Sequence, residues 1–291
     1  MPPRTLIFGT TTMRRLILLS CLIGAPALTA QSPPPSQPQE EAPPIEDNSF
    51  LVEEAYNQGR GVVQHINTFS RARGSDGWMY TFTQEWPLFS KTHQLSYTVP
   101  IARNDDAPHA TGLGDIAVNY RYQFGGGENV GFAFAPRLTV LLPTGASRRA
   151  HGAGGTGLQV NLPFSAELPA DFVAHSNAGA TYTPRARDTF GNSAATRSFT
   201  LGQSVIWLAH PKLNVMLESS WTRAEEVVGQ GQTARSTEFF ISPGLRGAID
   251  FSSGLQIVPG IAFPFGVGTS RGERAVFAYL SFEHPFARQS P

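Results

Sequence analysis

The chain is short of several things. It has one cysteine, Cys21, so neither a disulfide framework nor a cysteine metal site is open to the rest of it. Charged residues make up 15%, against about 25% in ordinary soluble domains. Lysine plus arginine equals aspartate plus glutamate, 22 each, so no basic excess points to nucleic acid. Beyond the first thirty residues no apolar run approaches the ~20 residues of a membrane helix. Metal-ligand and cofactor patterns are missing too. The histidines have no His-Glu-x-x-His spacing, and the glycine loop GAGGTG (152–157) precedes the strand-like LQVNLPFSAEL rather than a helix. No catalytic, metal or cofactor residue is assigned.

What is present begins with an export signal. Arg14 and Arg15 precede the apolar core LILLSCLIGAPAL, and the small residues Ala27, Thr29 and Ala30 predict cleavage near residue 30. A lipoprotein reading of LLSC stays open. Removing residues 1–30 takes away Arg4, Arg14 and Arg15 and no acid, which leaves 19 − 22 = −3. Residues 31–47, QSPPPSQPQEEAPPIED, form a Pro-rich linker with almost nothing to bury, predicted to be disordered. Residues 48–61 are a lead-in or a candidate plug segment. Residues 62–286 carry the domain, and 287–291 are a short tail.

From residue 62 the pattern has period two. Twelve strands are expected, at roughly 62–70, 77–86, 91–100, 113–124, 130–142, 156–168, 171–182, 196–209, 212–222, 236–249, 254–264 and 274–286. Most reach ten residues, the length a tilted strand needs to cross a bilayer, whereas strands of soluble proteins peak near ~5–6. Short links such as PLFSK and HP alternate with long polar ones such as PTGASRRAHGAGG, TPRARDTFGNSAA and RAEEVVGQGQTARS. The expected fold is all-β: an up-and-down transmembrane antiparallel β-barrel of about 12 strands. It has long external loops and short periplasmic turns, and both termini in the periplasm.

Charge placement separates a lipid-facing sheet from a soluble one, because arginine or lysine on the lipid face costs ~2–4 kcal/mol at the midplane. In GDIAVNYRYQF, Asn119, Arg121 and Gln123 oppose Ile116, Val118, Tyr120, Tyr122 and Phe124. The same sorting gives the expected lumen lining: Glu85, Asn119, Arg121, Arg137, Asn161, Glu167, Glu218, Glu238 and Arg246. Gln84, Gln203 and His93 are polar residues with apolar parity. Trp78, Trp86, Trp207 and Trp221 lie on apolar faces near the expected strand ends, as an aromatic girdle would.

GLGDIAVNYRYQF, RLTVLLPTG and GLQVNLPFS, with EEAYNQGRGVVQHINTF and DGWMYTFTQEWPL, resemble outer-membrane transporters grouped as the meta-pathway phenol-degradation-like family. The resemblance implies an outer-membrane barrel that moves small aromatic or apolar solutes. The C-terminus departs from the usual aromatic ending, since ARQSP follows Phe286.

The expected function is therefore passive passage of small solutes through a narrow, mixed-charge lumen, twelve strands lying between filled and open barrels. The expected surroundings are outer-membrane lipid and lipopolysaccharide, with the barrel-assembly machinery as a folding partner. Arg148, Arg149 and His151 form a basic loop cluster that could meet lipopolysaccharide phosphates. A structural or surface-binding barrel is the alternative. A hydrolase using His93, His284 or Ser219 is a third class, with no pattern that joins these residues.

Overall fold

The computed structural model describes residues 49–104, 111–126 and 131–285. The expected signal, linker and tail (1–30, 31–47 and 287–291) and Phe286 lie outside them.

Twelve antiparallel staves form one closed barrel. They are β1 (Val62–Ala72), β2 (Trp78–Leu88), β3 (His93–Arg103), β4 (Thr111–Leu113, Ile116–Tyr122 and Phe124–Gly125), β5 (Phe132–Phe134 and Arg137–Leu142), β6 (Gly157–Asn161 and Phe164–Leu168), β7 (Phe172–Arg187), β8 (Ser193–His210), β9 (Leu213–Gly229), β10 (Gln232–Gly247 and Ile249–Asp250), β11 (Gln256–Ala262 and Phe265–Gly266) and β12 (Ala275–Pro285). β1 and β12 close the ring in continuous register, from Val62 opposite Pro285 to Ala72 opposite Ala275. Closure removes the sheet edges, whose free N–H and C=O groups hydrocarbon could not satisfy. Three interruptions fall at Pro136, Pro163 and Pro264, which have no N–H to give the ladder. Their carbonyls still accept bonds, from Tyr122, Ala135 and Ala275.

β1 starts and β12 ends at the same end of the barrel, called here the near end. The far end differs from the sequence expectation. TPRARDTFGNSAA and RAEEVVGQGQTARS, read as long loops, are mostly strand. β7 and β8 stay paired to Arg187 and Ser193, and β9 and β10 to Gly229 and Gln232. Only residues 188–192 and 230–231 turn. The Asp188 carboxylate closes the first turn by accepting from the Asn192 side chain and from the amides of Asn192 and Phe190. These bonds, the Asn192 side chain first, hold its pKa below the ordinary value. The sequence concealed these extensions because alternation of greasy and polar residues marks a strand only where one face meets lipid. The strict alternation of short and long loops fails for the same reason. Trp221 is likewise not at a strand end, since β9 runs on to Gly229.

The outward face is apolar in long rows. Phe199, Leu201, Val205 and Trp207 on β8 lie beside Leu213, Val215 and Leu217 on β9, all exposed. The polar residues with outward parity are paired across the wall. Tyr97 Oη donates to Gln84 at 2.9 Å, Ser176 Oγ to Gln203 at 2.6 Å, and His93 Nδ1 meets Tyr120 Oη at 2.6 Å. Such bonds remove most of the cost of placing a polar group against hydrocarbon.

The two faces of β9 differ in a testable way. Leu217 is 54% exposed on the outer face, while Ser220 faces the lumen. Leu217→Arg should lower the stability of the barrel folded into lipid vesicles by ~2–4 kcal/mol. Ser220→Arg should cost clearly less. Urea titration followed by the heat-dependent gel shift of the folded form measures both, and equal losses would contradict the assignment of faces.

Candidate functional site

A segment without regular secondary structure, residues 49–59, lies inside the barrel in the half nearer the near end. Ladder bonds already occupy the wall's backbone groups, so this segment finds acceptors on inward side chains. The Glu218 carboxylate takes three consecutive amides, those of Phe50, Leu51 and Val52, at 3.1, 2.9 and 3.1 Å. Asn177 Oδ1 accepts from the Glu53 amide at 2.8 Å, and Asn177 Nδ2 donates back to the Glu53 carbonyl at 2.6 Å. Ser165 Oγ accepts from Ala55 at 2.8 Å and meets His175 Nδ1 at 2.7 Å. Gln123 and Gln94 accept from the amides of Asn57 and Gln58.

Arg121 holds the segment from the opposite wall. Its guanidinium is 2% exposed and donates to Asn57 Oδ1 at 2.8 Å, the Glu54 carbonyl at 3.0 Å and the Tyr56 carbonyl at 2.7 Å. It also pairs with Glu53 Oε1 at 3.1 Å. The other Glu53 oxygen lies 3.3 Å from Arg137 and accepts from Asn161 at 2.8 Å. Glu53 is thus the centre of a network spanning β4, β5 and β6. Buried charges are tolerable when paired and hydrogen-bonded in this way.

Apolar side chains of the segment enter sockets made by small inward residues. The Phe50 ring sits 5.6 Å from Phe277 and 5.2 Å from Tyr279. A Cβ on Gly244 or Gly260 would collide with that ring, and one on Gly202 would press on Val52. Ala55 packs with Ala133 and Ala135. Among the described residues, both buried apolar clusters are built around this segment.

Beyond the segment, toward the far end, lies a cavity of about 380 Å³. Leu51 to Glu54 make its floor, and Thr68, Thr83, Thr98, Thr200 and Ser220 belong to its wall. Its hydroxyls pair across staves, Thr68 with Thr81 at 2.6 Å and Thr83 with Thr98 at 2.8 Å. Farther out, the loop 143–156 is tied to the mouth. Asp115 accepts from the amides of Gly145 and Ala153 at 2.9 and 2.7 Å, and Thr144 Oγ1 donates to the Gly114 carbonyl at 2.8 Å. The Gly-Asp and Pro-Thr-Gly stretches of the sequence therefore fasten one loop. His151 is 6% exposed and packs its ring against Gly112, so it is withdrawn from the basic cluster expected of this loop. Arg148 and Arg149 lie in a 3-10 turn, Ser147–Arg149.

Of the expected lining residues, Glu85, Asn119, Arg121, Arg137 and Asn161 border this cavity. Glu218 is buried beneath the segment. Arg246 is buried with its guanidinium 6.0 Å from the Tyr279 ring centre. Glu238 is exposed toward the far end, and Glu167 is exposed near the turn to β7, away from the network. Glu53, Asn177, Gln94, Ser165 and the socket glycines were not singled out in the sequence, and Gln123 was read there only as inward. Inward parity was available for the wall residues, but nothing marked their height or pointed to Glu53. His93 bonds Tyr120 and His284 lies against His65, and neither contact involves Ser219. Trp78, Trp86 and Trp207 contact Phe69, Tyr97 and Phe172 with centroids 6.0, 6.0 and 6.4 Å apart.

No family model matches the sequence, and no curated protein does. Solved structures do. The COG4313 outer membrane channel from Pseudomonas putida F1 superposes with a TM-score of 0.57 at 12% identity, covering 79% of this chain and 97% of that one. The NanC porin gives 0.51 at 10% identity, covering 76% and 98%. Membership in the meta-pathway phenol-degradation-like family is not confirmed by these comparisons. At such identities the likeness carries the fold alone: the chain has the closed barrel of outer-membrane proteins.

Proposed function

We propose that the protein is a passive outer-membrane channel whose lumen is narrowed by residues 49–59, with Glu53, Arg121, Arg137 and Glu218 setting the charge at the constriction. The observation that carries this reading is the segment itself. It crosses a polar, hydroxyl-lined lumen and is held mainly by bonds that water or a polar solute can replace. The fold shared with an outer membrane channel and a porin supports the same reading. The solutes are small. Passage of aromatic or apolar compounds rests on the family resemblance in the sequence and on no contact in the site.

The test is conductance in planar bilayers. The full chain should give small or infrequent openings. A variant lacking residues 49–59 should give steady openings of larger amplitude. It should also shift toward anions, because Glu53, the carboxylate that pairs with both Arg121 and Arg137, leaves with the segment, as does Glu54. A truncated barrel that folds but stays silent at all voltages would argue for the structural, non-conducting alternative.

Single substitutions should act in the same direction. Arg121→Ala removes donors to Glu53, Glu54, Tyr56 and Asn57 at once. It should raise the open probability by roughly tenfold, the equivalent of one charge-assisted hydrogen bond. Gly260→Leu should do likewise by displacing Phe50. Single-channel dwell times read both, and unchanged dwell times in both variants would remove the segment from the gate.

A further inference from the structure

A second cavity lies outside the lumen. It has a volume of about 1070 Å³ and lies at the far end, where the β1–β2 turn meets the β11–β12 turn. Its base is apolar: Phe69, Phe263, Phe265 and Val276 are all exposed there. Phe69 has the outward parity of β1, and Val276 that of β12, opposite the buried, inward Phe277. The cavity therefore opens on the outer surface of the wall, where its apolar rows end. Above that base are four arginines, Arg71, Arg73, Arg271 and Arg274, and two acids, Asp76 and Glu273. The net charge of the lining is 4 − 2 = +2.

Among the described residues, one of these arginines has a side-chain partner. Arg71 pairs with Asp76 at 3.3 Å and donates to the Ser75 carbonyl at 3.0 Å, which shapes the β1–β2 turn. Arg73, Arg271 and Arg274 are exposed, and their guanidinium groups have no partner among the described residues. The backbone holds two of them together, since the Arg73 amide donates to the Arg274 carbonyl at 2.7 Å. Guanidinium groups gathered over exposed aromatic rings, at the border of a lipid-facing surface, match an amphiphile with phosphate above and acyl chains below.

We infer that this cavity is a binding site for a phosphorylated lipid of the outer leaflet, with Arg73, Arg271 and Arg274 on the phosphate and Phe69, Phe263, Phe265 and Val276 against the acyl chains. A free anion would use the arginines but gain nothing from the apolar base. A neutral lipid would use the base but leave the arginines unsatisfied. The inference is independent of whether the lumen conducts. It also assigns the far end to the leaflet that carries phosphorylated glycolipid.

The experiment uses the full chain in detergent, with diphosphoryl lipid A as the probe and native mass spectrometry as the readout. Saturable binding is expected, weakened at least about tenfold when the probe is dephosphorylated. Inorganic phosphate should compete poorly, and phosphatidylcholine should not compete. The combined variant Arg73→Gln, Arg271→Gln and Arg274→Gln should lose a similar factor, while Arg60→Gln, at the exposed near end, should bind as wild type. The heat-dependent gel shift reports folding of each variant. Should the combined variant misfold, the three single variants carry the test, each expected to lose binding several-fold. Equal binding of the phosphorylated and dephosphorylated probes would overturn the site. So would full competition by phosphate, or wild-type binding by the folded arginine variants.

Discussion

A closed barrel uses its backbone bonds on itself. That constraint shapes everything found inside this one. A segment that enters the lumen cannot join a ladder, and an unpaired buried amide costs about 1–3 kcal/mol. Residues 50–53, 55, 57 and 58 avoid the cost because Glu218, Asn177, Ser165, Gln123 and Gln94 stand where their amides point. These acceptors come from β3, β4, β6, β7 and β9, so placing the segment requires most of the ring to be in register. The reverse also holds. Glu218 is 1% exposed, and the three amides are what make a buried carboxylate tolerable there.

Much of this was legible in the sequence, and the reason lies in lipid. Hydrocarbon enforces period two, so Arg121 and Glu218 could be assigned to the inner face from their neighbours alone. The twelve staves followed from the same alternation. Two things escaped. The hairpins β7–β8 and β9–β10 continue past the apolar rows, where both faces meet polar surroundings and the alternation stops. The partners of residues 49–59 escaped because parity gives a side and not a height. Gln123 read only as an inward amide, and nothing marked Gln94, Gly202, Gly244 or Gly260. Only the tertiary path of the segment turns them into acceptors and sockets.

The outward polar residues that broke the pattern, Gln84, Gln203 and His93, mark a second use of the same rule. Each has a partner on the next stave, Tyr97, Ser176 or Tyr120. A polar atom on the lipid side is acceptable when its neighbour across the ladder completes it. Sequence parity treats residues singly and so registers these as errors. The cross-strand pair is the unit that matters.

The segment's binding is divided unevenly between polar and apolar contacts, and the division bears on whether it can move. Its apolar anchorage comes from Phe50, Val52, Ala55 and Tyr56, with Phe277, Tyr279, Gly244, Gly260, Gly202, Ala133 and Ala135 as hosts. The rest is hydrogen bonding and the Glu53 ion pairs. In a dry core those bonds would be close to permanent. Here they border a cavity lined by hydroxyls, and each can be exchanged for water at a net cost of about 0.5–1.5 kcal/mol, or about 1.5–3 for those to charged groups. Arg121 and Glu218 each gather several bonds onto one side chain, so those bonds are coupled rather than independent. A restraint of this kind holds while a few charged groups stay paired and releases as a unit when they do not. The glycine sockets cost little to refill with water, and it is the Phe50 contact with Phe277 and Tyr279 that would expose large apolar surface on leaving. The distribution of contacts therefore favours a segment that can leave and return without disturbing the ladder around it.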